Sequence, residues 1–223
     1  MSATASTPAP AEPRPWLSLP AARTPRGKVS AGIVCGLVCA ALYLAPNRLG
    51  GAPGTLPLTA LDLAVPFWPA SVWLYAAMYG LLGWAFFGTA CPRRASRLLY
   101  ALAFCQVLAA GIYTLIPLRF PREAFALPPG TWGLNSQAIA FWHAIDAPVN
   151  CLPSLHVTTA LLCLWAFNAA PLRRHRAAAL LLATLTIGST LTFKQHYAVD
   201  LLGGAILAAL GWALFFSRRV RVA

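Results

Sequence analysis

The feature that most restricts what this chain can fold into is a series of six apolar runs, at residues 30–46, 69–90, 98–118, 153–170, 177–193 and 197–217. A hydrocarbon core of about 30 Å needs roughly 20 mostly apolar residues to cross as a helix. Helices and closed barrels are the structures that satisfy their own backbone groups there, and runs of this length are helical in type. The composition agrees: 59% of the 223 residues are hydrophobic, only 10% are charged, and mean hydropathy is +0.65, which excludes an ordinary water-soluble domain. The expectation is an all-α polytopic membrane protein, six transmembrane helices in a bundle.

Residues 1–29 are rich in Pro, Ala, Ser and Thr and carry four basic residues against Glu12, so they are expected to form a disordered basic tail. A cleaved targeting peptide is the competing reading. Residues 30–217 would form the membrane domain, and 218–223 a short basic tail.

The net charge of +12 does not indicate nucleic acid, because the basic residues fall in short clusters between apolar runs. With alternate connections on opposite sides, Arg14, Arg23, Arg26, Lys28, Arg93, Arg94, Arg97, Arg173, Arg174, Arg176, Arg218, Arg219 and Arg221 share one face, 13 of the 17 Lys and Arg. The positive-inside rule makes that face cytoplasmic, with both termini on it, in what is expected to be a plasma (inner) membrane. Arg48, Arg119, Arg122 and Lys194 face the other way with Asp62, Glu123, Asp146 and Asp200. The six cysteines include Cys35, Cys39, Cys105 and Cys163 inside apolar runs, where they act as small hydrophobes, and they define no disulfide framework.

Two long connections, 47–68 and 119–152, lie on that non-cytoplasmic side. Their Trp and Phe among Pro and Gly suit interfacial segments. Gly203–Gly204, and Gly80 with Gly83, read as close helix contacts. The fifth and sixth runs are separated by so few polar residues that they are expected to form a tight antiparallel hairpin with 194–197 at its tip.

At that tip, His196 and Asp200 are four residues apart and share a helical face. A carboxylate that takes the Nδ1 proton fixes the tautomer and frees Nε2 as nucleophile or base, although Asp200 as a helix cap is the plainer alternative. Pro153-Ser154-Leu155-His156 enters the fourth run on the same side, and Pro117 to Arg122 end the third. Two histidines, a paired carboxylate, cations and small hydroxyl residues at one membrane depth suit phosphoryl transfer: a nucleophile for phosphorus, donors for its oxygens, an acid for the leaving group. His143 and Asp146 read as interfacial or structural, and His175 as part of a basic orientation cluster.

Pro153, Ser154 and His156, followed by Ser189, His196 and Asp200, resemble the Pro-Ser-x-His and Ser-x6-His-x3-Asp motifs of the type 2 phosphatidic acid phosphatase superfamily. The resemblance covers roughly residues 70–217. Asn150 to His156 and Lys194 to Tyr197 are most similar to the inositol phosphorylceramide synthase-like branch. The resemblance implies that His196 forms a phosphohistidine and that Asp200 orients it. It makes His156 the general acid, and has Ser154, the Leu155 backbone and Ser189 bind phosphate. Thr190 stands where many members carry Arg, and the family's upstream Lys-x6-Arg-Pro motif is absent, so Arg122, then Lys194 and Arg119, are the candidate cations. The substrate would be a phospholipid, sphingolipid or polyprenyl phosphate in the bilayer, with no metal, cofactor or nucleic acid; water or a lipid hydroxyl would accept the phosphoryl group. The alternatives are an intramembrane serine protease using Ser154 with His196, a haem or quinone binder ligated by the two histidines, and a transporter.

Overall fold

The computed structural model describes residues 17–46, 51–216 and 220–222. The first sixteen residues, with Arg48, Arg218 and Arg219, lie outside the described residues. Within the expected tail, Leu17–Leu19 form strand β1, and helix α1 (Pro25–Leu44) begins before residue 30. Its start is set by local chemistry: Thr24 accepts the Gly27 N–H at 3.0 Å, and Pro25 occupies the first turn, where its missing N–H costs nothing.

All six apolar runs form helices: α1, α3 (Ser71–Gly88), α4 (Pro92–Leu115), α6 (Leu155–Ala166), α7 (Arg176–Thr192) and α8 (Ala198–Phe215). Four of them, α1, α3, α4 and α8, are long and apolar enough to cross a membrane. The six-span expectation is thereby reduced to four helices that meet that requirement, because α6 has 12 residues and α7 has 17. At 1.5 Å per residue α6 is only about 18 Å long.

This short helix is the centre of the bundle, packed on α3, α4, α7 and α8. Its closest neighbour approaches through glycine. A Cβ on Gly204 of α8 would sit 2.5 Å from the Ser154 carbonyl and 2.8 Å from Val157 Cβ, and one on Gly203 would sit 2.7 Å from Leu152 Cδ1. Gly80 and Gly83 on α3 are different: a Cβ there meets nothing within 4 Å, so the expected close contact is absent. The expected hairpin of α7 and α8 also needs correction. The two are joined by five residues, 193–197, yet α7 packs on α3 and α6 while α8 packs on α6 and α4. Helix α6 is wedged between them, because the glycine face of α8 fits it and the Ala179 to Thr186 face of α7 does not need α8 to be buried.

One end of the bundle is basic. Strand β1 pairs in parallel with β2 (Val220–Val222), and Arg93, Arg94, Arg97, Arg173, Arg174 and Arg176 lie around the α3–α4 and α6–α7 turns. There Lys28 donates to the Phe87 and Thr89 carbonyls at 3.2 and 2.8 Å, satisfying the C-terminus of α3. At the other end the two long connections contribute α2 (Ala60–Ala64) and α5 (Leu134–Ile145), and single bridges join Gly54 to Leu118 and Leu118 to Asn150.

Candidate active site

The tip between α7 and α8 is held in one shape by buried polar contacts. Thr190 O accepts the N–H groups of Gln195 and His196 at 3.1 and 3.3 Å, and Lys194 adopts a left-handed backbone with φ of 55°. From α2, Asp62 accepts the Ala198 N–H at 2.7 Å through Oδ1 and the Thr59 N–H and hydroxyl at 2.8 and 2.6 Å through Oδ2. Burial works to raise the Asp62 carboxyl, but these hydrogen bonds and the Lys194 charge bring it below its ordinary value. Thr59-x-x-Asp62 is a capping-box pattern legible in the sequence; its second use, on α8, is not.

His196 and Asp200 meet as their spacing suggests. His196 Nδ1 lies 3.2 Å from Asp200 Oδ2 and 3.0 Å from the Cys151 carbonyl. Both neighbours are acceptors, so Nδ1 carries a proton, and in the neutral form of the ring Nε2 is the nitrogen left unprotonated. Asp200 also caps α8, accepting the Tyr197 N–H at 2.9 Å, so the capping and orienting roles coexist. Its Oδ1 is buried without a hydrogen-bond partner, and its carbonyl accepts the Ser154 N–H at 3.1 Å, which ties the start of α6 to α8.

His156 is the first inward residue of α6, and its ring centre lies 6.3 Å from that of His196. It is buried, and its Nε2 has no hydrogen-bond partner. Tyr75 of α3 stacks on it with ring centres 3.7 Å apart. The Tyr75 hydroxyl donates to Asp146 Oδ2 at 2.9 Å, and Tyr43 of α1 donates to Oδ1. Nothing in the sequence singles out Tyr75, since one aromatic in an apolar helix looks like any lipid-facing or core residue.

Among the candidate cations, Arg122 is the one near the histidines. It donates to the Asp146 carbonyl at 2.8 Å and to Gln195 Oε1, and its Nε is buried with no partner. Lys194 is turned away: its ammonium donates to the Asp62 and Val65 carbonyls at 2.7 and 2.5 Å and lies over the Phe125 ring. Burial lowers its pKa against the opposing pull of Asp62. Arg119 pairs with Glu123 at 3.0 Å, with 42% of its side chain exposed. Ser154 caps α6 by accepting the Val157 N–H at 3.5 Å and hydrogen-bonds neither histidine, so the pairing a serine protease needs is missing. The first N–H groups of α6, at Leu155 and His156, have no carbonyl partner inside their own helix. Ser189 is buried, and its hydroxyl donates to the Thr186 carbonyl at 2.6 Å.

The model of the PAP2 superfamily matches residues 66–214, which takes in α3 to α8 and both histidines but neither α1 nor Asp62. No curated protein matches the chain.

Proposed function

The chain belongs to the PAP2 superfamily, and from that premise we propose that it is an integral membrane lipid phosphatase or phosphotransferase acting through a phosphohistidine on His196. The observation that carries the reading is the all-acceptor environment of His196 Nδ1, which leaves Nε2 free to attack phosphorus. In the first step a bond forms from Nε2 to phosphorus as the bond to the leaving oxygen breaks. His156 supplies the proton that the departing alkoxide takes up. In the second step His156 receives a proton from water or a lipid alcohol as that oxygen displaces Nε2. Asp200 stabilises the positive charge that develops on His196 throughout.

A separation of 6.3 Å between ring centres leaves room for one tetrahedral phosphorus between the two histidines. The N–H groups at the start of α6 and the unused Nε of Arg122 supply donors for its oxygens. The reading assigns Ser154, Leu155, Ser189 and Arg122 to phosphate, and leaves Lys194 and Arg119 as supports of the tip. We place all six apolar helices in the bilayer, α6 and α7 as short inner members. The exposed Leu134, Phe141 and Ile145 of α5 lie against the headgroups on the non-cytoplasmic side. Asn150, which donates to the Tyr43 carbonyl, and Tyr197, which donates to the Arg119 carbonyl, are residues shared with the inositol phosphorylceramide synthase-like pattern, and they favour that branch.

The test is phosphate release from a panel of lipid phosphates, with and without diacylglycerol or ceramide as acceptor, using the purified protein in detergent. Substrate labelled in its phosphoryl group should leave an acid-labile label on the protein. Label retained at wild-type level in His196→Ala overturns the assignment of the nucleophile.

A further inference from the structure

Helix α1 lies outside the region matched to the family, and it stands apart from the bundle in a specific way. It packs along α4, and its ties to α3 are a direct one at the basic end and an indirect one, through Asp146, at the other. At the basic end Gly32 sits against the Phe86 ring, where a Cβ would come within 2.7 Å, and Lys28 holds the end of α3. At the other end Tyr43 donates to Asp146. Between these ties α1 and α3 diverge, and a cavity of about 700 Å³ opens between α1, α3, α4 and α6. It reaches from Val29 to His156 and Asp146, and its walls are mostly apolar, with Gln106 of α4 midway and Thr158 and Thr159 nearer that last end.

We infer that this cavity receives a hydrocarbon tail of the substrate and that α1 sets the length of chain it accepts. This inference rests on the reading of His156 and His196 as the phosphoryl site. The helix wall from Val29 to Leu44 is about 22 Å long at 1.5 Å per residue. An extended chain of single bonds advances about 1.2 Å per bond, so roughly 18 carbons span it. The polar end carries the acid His156, so a chain lying in the slot delivers its phosphate to the two histidines. The substrate is therefore a lipid phosphate, or a pyrophosphate, whose chain is roughly 16 to 20 carbons in extended length.

Two glycines make the inference testable. Gly36 of α1 and Gly83 of α3 both line the cavity, and a Cβ at either meets nothing within 4 Å. Replacing a helix-interior glycine by leucine also raises helix propensity, so Gly36→Leu and Gly83→Leu should fold. Gly36 stands about 10 Å from Tyr43 along the helix, which leaves room for about eight carbons above a side chain placed there.

The experiment compares hexadecyl phosphate, octyl phosphate, dipalmitoyl phosphatidate and para-nitrophenyl phosphate as substrates of the purified full-length protein. In wild type, kcat/KM for hexadecyl phosphate should exceed that for octyl phosphate by at least about tenfold. In either leucine variant the hexadecyl value should fall to about the octyl value, while the octyl and aryl values stay within about threefold of wild type. Equal turnover of both chain lengths by wild type, or unchanged chain-length dependence in both variants, overturns the slot. Failure of wild type to release phosphate from any of the four would instead overturn the phosphatase reading beneath it.

Discussion

At the scale of single residues, the pairing of His196 with Asp200 separates two roles that one substitution can test together. Asp200→Asn keeps an oxygen for the Tyr197 N–H, so the cap of α8 survives, but it removes the charge opposite His196. A loss on the order of 10³ to 10⁴ in kcat with an unchanged melting temperature is expected, read as turnover and thermal unfolding of one preparation. A rate within about threefold of wild type would leave Asp200 as a cap alone. His156→Ala should recover on an aryl phosphate whose phenolate leaves without a proton, whereas His196→Ala should not. His196 was legible because Asp200 lies four residues on and shares its helical face, and His156 because it closes the motif that begins at Pro153. Arg122 was legible only as one cation of three. What distinguishes it is how α2 and the tip engage Lys194, a contact between residues 62 and 194 that no local pattern encodes.

At the scale of elements, the site exists because α8 can press against α6. Gly204→Ala would bring a Cβ to 2.5 Å from a backbone carbonyl that has no freedom to swing aside. Overpacking of this kind costs about 1–3 kcal/mol, and here it also separates His196 from His156, so both the melting temperature and kcat should fall. Gly80→Ala is the matched control, since its Cβ enters open space; stability should hold or rise by up to about 1 kcal/mol with activity intact. The sequence shows small residues but not which of them face a neighbour, and that is why the two glycine pairs looked alike. The same limit applies to α7 and α8, whose short connection suggests direct packing although α6 intervenes. Asp62 acts at this scale too. Its folded pKa lies below the ordinary 3.8, so its stabilisation is fully present above that value and is lost as pH falls through the lower folded one. Asp62→Asn should therefore melt at a lower temperature than wild type near neutral pH, and the difference should shrink on acidification below about pH 4.

For the whole molecule, chemistry and positive charge are separated to opposite ends, and on the proposed membrane placement the site faces away from the basic side. The histidines, Asp200, Asp62 and Arg122 are gathered at the end where α6 and α8 begin, and the arginine clusters at the end where α3 gives way to α4. The sequence made this polarity readable because charge placement along a membrane chain is a global signal. The number of full crossings was less readable, because the 12-residue α6 is set by its Ser154 cap and the turn that begins at Phe167. The protein carries its own probe of sidedness. Cys91 is exposed at the α3–α4 turn, whereas Cys105, Cys151 and Cys163 are buried and Cys35 and Cys39 half-buried. A membrane-impermeant maleimide should label Cys91 in inside-out vesicles and spare it in right-side-out ones. In a variant lacking Cys91, Trp132→Cys, at a position 80% exposed on the opposite connection, should give the reverse pattern. Arg174→Cys, introduced likewise, tests α6 and α7 directly: labelling from the Cys91 side means that this pair carries the chain through to the basic face and six helices cross. Labelling of Arg174→Cys from the Trp132 side would make α6 and α7 a re-entrant pair among four crossings. Labelling of Cys91 itself from the outside would turn the whole molecule over, and the lipid phosphate would then have to be presented from the cytoplasmic leaflet.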